Sequence, residues 1–332
     1  MTSSRRKTAA WSIRGRLPGT APGRISLPVL VLIAVVAFSA SAARAGLIPL
    51  GAASNYAVLY EGTGGHNLGI TGVGNHFEDL FDTISGNIGV GGTGNVTVSG
   101  PVYIEGYLDF SAANTGQYSS FDNAGPTSVN YRVTGVTTAL SAINALSAAY
   151  SGGTNITFTN SGETINENTG ALVTIDGIAT RVFNVTAYSA NNASVLDIVG
   201  DGTGDPVVFN FAVGTGNYGQ QNVNLGGSVE LTGTGLTSSD QVLFNFQSSS
   251  QNISLTNNGE TFIGIILAPN DEMQMGNATL VGRFFGGDST DETVEGADVY
   301  APEVVPTPIP GALFLLAPGL VGLAAVRRRF MK

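Results

Sequence analysis

Ile84-Ser-Gly-Asn-Ile-Gly-Val-Gly-Gly92 contains the pattern that decides the fold of this 332-residue chain. Within it, the short strand Ile88-Gly-Val90 lies between a Gly-Asn pair and a Gly-Gly pair. Such pairs form tight corners, because glycine adopts positive φ angles without steric cost. A short strand after each corner is typical of the stacked rungs of a parallel β-helix.

The same alternation recurs across residues 46–303. Strand-length runs rich in β-branched and aromatic residues are separated by Gly, Asn, Asp or Ser at spacings of roughly 8–20 residues. A β-sandwich has similar spacing and no strict repeat period is visible, so the sandwich remains an alternative. The predicted strands are Tyr56–Tyr60, Ile88–Val90, Val96–Val98, Val102–Ile104, Ile156–Phe158, Leu172–Ile175, Arg181–Val185, Val195–Ile198, Val207–Phe211, Val229–Leu231, Val242–Phe246, Ile253–Leu255, Phe262–Leu267 and Leu280–Gly282.

One segment of the body has a helical period instead. From Tyr131 to Tyr150, apolar side chains recur at steps of three and four residues, as on one face of an α-helix. Asn130 is the predicted N-cap, and Gly152-Gly153 is predicted to end the helix. We expect this helix to pack along one side of the solenoid, with a position on a sandwich edge as the alternative.

The composition excludes several kinds of chemistry. The chain contains no Cys, which excludes disulfides, thiolate zinc sites and cysteine nucleophiles. Its two histidines, His66 and His76, leave little material for histidine catalysis or a His-rich metal site. Gly accounts for 46 residues, which argues against a helical core because glycine is a poor helix former.

Charge is strongly segregated along the chain. Seven of the 14 basic residues lie in residues 1–45 and four in residues 327–332, which leaves Arg132, Arg181 and Arg283 between them. All 24 acidic residues lie in that interior, which therefore has a net charge of −21. A body this acidic repels phosphate backbones, so nucleic acid is excluded as a partner.

The N-terminus has the three parts of a secretory signal. Residues 1–24 are basic, residues 25–38 are apolar, and a small-residue stretch ends in Ala43-Arg44-Ala45. This order predicts recognition by the export machinery and cleavage by signal peptidase before Gly46. The pair Arg5-Arg6 leaves twin-arginine export open, and a retained N-terminal anchor is the other alternative.

The C-terminal residues 304–332 predict a membrane tail. A Pro-rich break is followed by 18 apolar residues, 309–326, which is just long enough to cross a bilayer core. Three arginines then follow and would hold the end of the chain in the cytoplasm. This order resembles the PEP-CTERM sorting domain of exosortase-containing Gram-negative bacteria, although the Glu of that motif is missing. The residues that carry the resemblance are Pro306, Pro308, Pro310, Arg327, Arg328 and Arg329. It implies transient anchoring in the inner membrane until an exosortase-type processing enzyme cuts near the prolines.

Several phrases of the body resemble surface proteins of the choice-of-anchor A family. They are Leu47-Ile-Pro-Leu-Gly-Ala-Ala-Ser-Asn-Tyr56, the opening Ile84–Gly92 stretch, Val242–Phe246, Gly264-Ile-Ile-Leu-Ala-Pro-Asn270 and Leu280-Val-Gly-Arg-Phe-Phe-Gly-Gly287. The resemblance implies a right-handed, ice-binding-like β-helix with one helix packed alongside, and an adhesive or structural role. The chain thus divides into a signal peptide (1–45), a β-solenoid adhesive domain (46–303) and a sorting segment (304–332).

Acid-rich turns are the candidate metal sites. In Asp201-Gly-Thr-Gly-Asp205, two carboxylates lie in a Gly-rich turn where Ca²⁺ could bind through oxygen ligands. The turn lacks the further acids of an EF-hand loop, so an ordinary acidic turn is the alternative. The acids from Asp288 to Asp298, and those beside His76, are interpreted as solvated surfaces with divalent-cation binding as the alternative. No other cofactor is predicted.

The sequence favours binding over catalysis. A polysaccharide-acting β-helix enzyme would need paired acids and a basic residue, and the body has three Arg and no Lys. The single Trp, Trp11, lies in the predicted signal, so an aromatic sugar platform would consist of Tyr and Phe. An ice-binding face would need stacked Thr-x-Thr strands, and only Thr157-Phe-Thr159 has that form.

We therefore predict an exported, exosortase-sorted protein of the cell surface or extracellular matrix. Its β-solenoid body would be non-catalytic and adhesive or structural, with extracellular polysaccharide as an expected partner. The alternatives are an extracellular polysaccharide-acting enzyme and an ice-binding protein. A cleft in which two or more acids converge with one of the three interior arginines would favour the enzyme.

Overall fold

The strands and the helix lie in the part of the chain that the computed structural model describes, residues 46–73, 81–121, 125–158, 162–191, 193–211, 222–247, 252–256, 259–287 and 290–302. The predicted signal peptide and the sorting segment from residue 304 lie outside these residues. The single described α-helix is α1 (Thr134–Ala149). The strands are β1 (Tyr56–Tyr60), β2 (Asn67–Thr71), β3 (Asp82–Ser85), β4 (Asn87–Val90), β5 (Asn95–Ser99), β6 (Val102–Ser111), β7 (Tyr118–Ser120), β8 (Gly125–Val133), β9 (Thr154–Phe158), β10 (Glu163–Asn166), β11 (Ala171–Ile175), β12 (Ile178–Tyr188), β13 (Val195–Asp201), β14 (Val207–Phe211), β15 (Asn222–Asn224), β16 (Ser228–Thr234), β17 (Val242–Phe246), β18 (Asn252–Leu255), β19 (Thr261–Ala268), β20 (Glu272–Gly276), β21 (Thr279–Gly286), β22 (Glu292–Glu295) and β23 (Asp298–Tyr300).

The strands stack in parallel to form a solenoid, as the sequence predicts. Seven of them form one sheet in the order β15-β18-β20-β22-β2-β5-β7, and β10, β13 and β16 form a second. The third sheet has thirteen strands and bends around a corner. Long strands such as β6, β19 and β21 continue through this corner. All fourteen predicted strands overlap observed ones.

Glycine makes these corners. Gly86, the glycine of the Gly-Asn pair, has a φ of +132° and separates β3 from β4, while Gly92 turns the chain after β4 with a φ of +49°. In the neighbouring rungs Gly282 stacks on Gly264, and a Cβ at Gly282 would lie only 1.8 Å from the Gly264 carbonyl oxygen. Larger residues would therefore push adjacent rungs apart.

The first strand, β1, lies in the middle of the stack rather than at one end. β1 pairs with both β4 and β21, β22 pairs with β2, and β23 pairs with β3. The first and the last rungs of the domain are therefore neighbours. From β8, the helix α1 carries the chain back to the far end of the stack, and β9 to β23 return to the start.

Helix α1 covers the outer side of β12, β14, β17, β19, β21 and β1, which we call the helix-covered face. Val136, Ile143 and Leu146 of the helix pack on outward apolar side chains of these strands, such as Leu243 and Ile265, and are fully or almost fully buried. The predicted position of the helix is thus confirmed. Because both sides of the strands are covered, β1, β14 and β17 are buried at every residue.

The repeated Asn of the helix-covered face receives the C-terminal end of α1. The Asn245 amide donates to the Ser147 carbonyl at 3.0 Å and to Asn210 Oδ1 at 2.9 Å, and its own oxygen accepts from the Ser147 hydroxyl at 2.8 Å. Asn184, in register with Asn210, donates to the Gly153 carbonyl at 2.9 Å. This ladder satisfies carbonyls that a helix end leaves without partners.

The inner side of the same strands carries stacked aromatic rings. Phe209 stacks on Phe183 and Phe244 with ring centroids 5.4 and 5.2 Å apart, and Phe211 stacks on Phe246 at 4.4 Å. In-register parallel strands place like residues above one another, which produces these ladders. Each aromatic pair contributes about 0.5–1.5 kcal/mol beyond the area it buries.

Two details differ from the prediction. The helix begins at Thr134 because β8 extends to Val133, and the Asn130 side chain donates to Asp109 on β6 instead of capping the helix. The solenoid also contains an antiparallel hairpin, β11–β12, whose Asp176-Gly177 turn has positive φ at both residues. That geometry matches the right-handed twist of a two-residue hairpin.

In the described part of the chain, no helix has the length and apolarity needed to cross a membrane.

Candidate functional site

The seven-stranded sheet turns one side away from the core, and we call this outer side the seven-stranded face. Its six strand spacings give it a length of about 29 Å. Side chains alternate along strands such as β5, β18 and β20, with buried apolar residues inside and polar residues outside. The register aligns one outward residue from each strand in a central row: Asn224, Ser254, Gln274, Thr293, Gly69, Thr97 and Ser119.

Hydroxyl groups meet across neighbouring strands of this face. The Thr71 and Ser99 hydroxyls are 3.1 Å apart, and those of Thr97 and Ser119 are 3.4 Å apart. A row of amides runs beside them, in which Asn95 donates to Asn67 Oδ1 at 3.3 Å. These cross-strand bonds hold short side chains of β2, β5 and β7 in fixed positions, so that this part of the face presents an ordered array of donors and acceptors.

One carboxylate points inward beneath this face. Glu292 on β22 is fully buried, in register with the buried Leu68 and Met273. Both of its carboxyl oxygens lack hydrogen-bond partners among the described residues. Burial raises the pKa of Glu292 well above its usual range. The pKa of Tyr60 is raised by its own burial and by the charge of the nearby Glu292 carboxylate.

A cleft of about 350 Å³ lies at the corner of the thirteen-stranded sheet, where the first and last rungs meet. Ala57, Gly86 and Gly106 line it, and Glu105 and Tyr107 expose their side chains there. Arg283 lies at its base, 1% exposed, with its guanidinium on Asp240 at 2.8 and 3.1 Å. The same guanidinium donates to the Tyr56 and Pro302 carbonyls, so it connects the two ends of the domain.

An open acidic groove of about 400 Å³ lies on the three-stranded sheet. Glu163, Asp197 and Glu230 line it, and the register places Asp197 and Glu230 side by side on neighbouring strands. The Thr232 hydroxyl donates to Asp197 at 2.5 Å. Like charges in direct register repel, and none of the three interior arginines lines this groove.

In the structure, the two candidate calcium ligands lie beside a cationic side chain. Arg181 lies 3.3 Å from Asp205 and 3.9 Å from Asp201. The Thr203 hydroxyl bonds to Asp201 and, at 2.8 Å, to the buried Glu167. The bonds from Thr203 lower the pKa of Asp201, whereas burial raises that of Glu167. The guanidinium thus supplies positive charge to both predicted ligands.

His66 and the remaining candidate residues are scattered. His66 Nδ1 lies 3.5 Å from Asp291, and Asp82 accepts from the Val73 amide at 2.8 Å. The Thr157 hydroxyl is 3.1 Å from that of Thr186, away from the seven-stranded face. In the described part of the chain, no three His, Asp or Glu side chains form a group that could hold a metal ion. Outside that part lie His76, Glu78, Asp79, Asp288, Thr159, Ala43, Ala45, Pro306, Pro308, Pro310, Arg327, Arg328 and Arg329.

Gly46, the predicted mature N-terminus, is placed beside the candidate calcium turn. Its backbone N–H donates to the Gly204 carbonyl at 2.8 Å. A Cβ at this position would lie 2.8 Å from Pro206, so the backbone approaches that ring closely. The first described residue is therefore fixed on the body next to Asp205.

Sequence reasoning missed the seven-stranded face, the buried Glu292 and the corner cleft. The alternation in Asn95-Val-Thr-Val-Ser99 and Asn252-Ile-Ser-Leu255 was a usable signal for the face, because one side of such a strand is polar. Nothing local marks Glu292 as buried, since it lies among other acids. The cleft depends on residues far apart in the chain.

No curated protein matches this chain. Among solved structures, the ice-binding protein of the Antarctic ascomycete Antarctomyces psychrotrophicus is 15% identical, with 78% of this chain and 100% of that chain covered and a TM-score of 0.47. The DUF3494 domain of Shewanella frigidimarina ice-binding protein 1 is 13% identical, with 79% and 100% covered and a TM-score of 0.46. An Arctic yeast ice-binding protein, LeIBP, is 16% identical, with 80% and 98% covered and a TM-score of 0.41. Identities and TM-scores this low support no conclusion about what this chain binds.

A family model covers most of the chain. The model described as "Putative Ice-binding-like adhesive domain" matches residues 45–296. The matched segment contains the seven-stranded face, most of the corner cleft and helix α1, and it ends shortly after β22. The chain therefore belongs to the family of ice-binding-like adhesive domains.

Proposed function

We propose that this protein is an exported, non-catalytic adhesive protein whose seven-stranded face is its contact surface. The observation that carries the proposal is the in-register array of hydroxyl and amide side chains on that face. The apolar residues alternating with them are buried, so the sheet is held rigid from inside. A rigid polar face can make many weak contacts at once without first losing conformational entropy, which suits adhesion to an extended polymer or surface.

The two ends of the chain support export and sorting in this proposal. The basic, apolar and small-residue order of residues 1–45 predicts signal-peptidase cleavage, and residues 304–332 resemble a PEP-CTERM segment. The body would then reach the cell surface or extracellular matrix through transient inner-membrane anchoring and exosortase-type processing. The choice-of-anchor A resemblance and a right-handed coil are part of the same proposal, since parallel crossovers are almost always right-handed.

Intact-mass analysis of the exported protein tests the sorting part. We expect a mass that begins at Gly46 and lacks residues 327–332. A mature protein that retains both the N-terminal segment and the arginine cluster would contradict it.

The charged clusters support a binding role over the enzyme alternative. Asp201 and Asp205 do converge on an arginine, but as an ion pair in which the Arg181 guanidinium lies against both carboxylates. In the corner cleft Arg283 is already bound to Asp240, and among the described residues Glu105 is the one acid that lines it. A general acid and a general base need two carboxylates free to exchange protons with a substrate.

A matched pair of variants tests the contact surface. Thr97→Trp with Thr293→Trp places two bulky rings on the seven-stranded face, whereas Thr137→Trp with Ser141→Trp places them on the exposed side of α1. The measurement is retention of protein-coated beads on matrix polysaccharide from the producing cells. We expect the first pair to lose most retention and the second to keep it. Equal retention by both pairs would remove the face from the proposal.

Ice binding is the second candidate, and the same face carries the observation that favours it. Thr97 and Ser99 expose two hydroxyls on β5, and these meet Ser119 and Thr71 on the neighbouring strands. The ladder is incomplete, because Gly69 and the exposed Glu295 interrupt its rows. An ice recrystallisation assay with the two variant pairs separates the candidates. Inhibition that the face pair abolishes would favour ice, and absence of inhibition with intact bead retention would favour adhesion.

A further inference from the structure

The corner cleft is separate from the seven-stranded face and has the features of a second binding site. It extends across the corner from Arg283 on β21 to Thr127 on β8, four strand spacings or about 19 Å. Three of its lining residues, Ala57, Gly86 and Gly106, have no side chain larger than a methyl group. An elongated groove with such small residues in its lining fits a chain-like ligand.

Strand β6 contributes exposed side chains to this cleft. Glu105 and Tyr107 line it, and Tyr103, which alternates with them on the same strand, points outward beyond its lining. Tyr103 is 54% exposed and Tyr107 48% exposed, high values for aromatic side chains on a soluble surface. The exposed Tyr107 ring and the Glu105 carboxylate therefore lie together in the cleft at this corner of the sheet.

Neighbouring strands complete the polar lining. Ser85 on β3 lies next to β6 and pairs with the partly exposed Tyr300 on β23. Asn87 is held in place, because its oxygen accepts from the Tyr107 amide at 2.9 Å and its nitrogen donates to the Asn55 carbonyl at 3.0 Å. These two bonds fix the backbone from which the Tyr107 ring projects.

We propose that this corner cleft binds glycosyl units of an uncharged extracellular polysaccharide. The Tyr107 ring offers a flat apolar surface for one face of a pyranose, and the Glu105 carboxylate accepts hydrogen bonds from two adjacent sugar hydroxyls. The net charge of −21 on the interior of the chain repels uronic-acid polymers, so the ligand class is neutral.

A peptide fits this cleft less well. Extended peptides bind by adding a strand to an open sheet edge, and β6, the strand that carries Glu105 and Tyr107, is already paired with β3, β4 and β8. Thr127 is the one lining residue from β8, the strand whose other edge pairs with no described strand, so the cleft meets that open edge at a single residue. A sugar chain does not need an open edge.

Calorimetry with the purified protein tests the proposal. The probes are cellohexaose, laminarihexaose, maltohexaose and mannohexaose, with an alginate hexamer as the anionic control. We expect at least one neutral hexasaccharide to bind, with Tyr107→Ala and Glu105→Gln each weakening it about tenfold. Tyr107→Phe should retain most of the affinity, because the ring surface remains.

Matched controls lie at the other end of the stack. Leu172→Ala removes an equally exposed apolar side chain from β11, and Glu230→Gln removes a carboxylate from the acidic groove. Both controls, and the Thr97→Trp with Thr293→Trp pair on the seven-stranded face, should bind the hexasaccharide as the unmodified protein does. These controls test sugar binding in the cleft independently of adhesion through the seven-stranded face.

Three results would overturn the proposal. They are no binding of any of the four neutral probes, binding that survives both Tyr107→Ala and Glu105→Gln, and alginate binding of equal strength. Displacement of the sugar by an unstructured peptide of mixed sequence would instead identify the cleft as a peptide site.

Discussion

The helix-covered face and the seven-stranded face are made from strands of one coil, but they use their outer side chains in opposite ways. On the first, outward residues such as Leu243 and Ile265 are buried under α1, and the polar Asn245 is bonded on every side. On the second, outward residues such as Thr97, Ser254 and Ser119 are polar and half-buried or exposed. The comparison shows that one solenoid can keep its stability on one side and its binding surface on another.

This division predicts where substitutions are costly. A buried polar group that loses its partner costs far more than an exposed hydroxyl that is replaced. Four substitutions, at Arg283, Asn245, Glu292 and Ser254, should therefore change the free energy of unfolding by successively smaller amounts. Each is measured by urea unfolding of the purified protein.

Arg283→Met should have the largest effect. It leaves the buried Asp240 carboxylate without its guanidinium and removes the connection between Tyr56 and Pro302. Loss of one member of a buried ion pair costs about 3–5 kcal/mol in unfolding free energy. Arg181→Met, whose pairs are longer and partly exposed, is the matched control and should cost less. Equal losses would mean that the buried connection has no special role.

Asn245→Ala should be next in size. It removes bonds to the Ser147 carbonyl and hydroxyl and to Asn210, all of them buried. We expect a loss of about 1–3 kcal/mol and faster amide exchange in the last turn of α1. Asn95→Ala on the seven-stranded face removes a comparable amide and should cost clearly less. A larger loss at Asn95 would reverse the comparison.

Glu292→Met should stabilise the protein at neutral pH by about 1–2 kcal/mol, because it removes a buried carboxyl without partners. The pKa of Glu292 is higher in the folded than in the unfolded state, so folding favours the protonated form. Its contribution is therefore most favourable below the unfolded pKa and declines as pH rises toward the folded one, by up to about 1.4 kcal/mol per pH unit.

The same experiment at several pH values gives the control. The stability of the unmodified protein should fall between about pH 5 and neutral pH relative to that of Glu292→Met. Parallel curves for the two proteins would show that Glu292 has a partner or an ordinary pKa.

Ser254→Ala should have the smallest effect, within about 0.5 kcal/mol. The hydroxyl lies on the seven-stranded face and its strand is held from inside by Ile253 and Leu255. A loss above about 1 kcal/mol would mean that this face contributes to stability, which would weaken its assignment as a free contact surface.

Much of the fold was readable from local patterns, and the site was not. Gly86-Asn87 and Gly91-Gly92 predicted corners because positive φ is a local property, and Val207–Phe211 predicted a strand because its β-branched and aromatic content is local. The spatial order of the rungs depends on β1 pairing with β21, a strand far along the chain, which no local pattern contains.

The helix illustrates where local reasoning fails. Its period predicts α1 correctly, but the prediction that Asn130 caps the helix is wrong, because it rests only on the local preference of Asn for that position. In the fold, Asp109 on β6 takes the Asn130 side chain, and strand pairing carries β8 on to Val133. The prediction of a calcium site at Asp201 and Asp205 likewise does not include Arg181, since that residue lies on another strand.

Cysteine labelling on each face tests the central claim most directly, because the chain contains no Cys of its own. Single Thr97→Cys and Thr293→Cys variants report on the seven-stranded face, and Thr137→Cys and Ser141→Cys report on the exposed side of α1. Maleimide labelling is compared between free protein and protein adhering to matrix polysaccharide. We expect adhesion to slow labelling at positions 97 and 293 and to leave positions 137 and 141 unchanged. Protection of the helix positions, with 97 and 293 still labelled at the free rate, would contradict the claim.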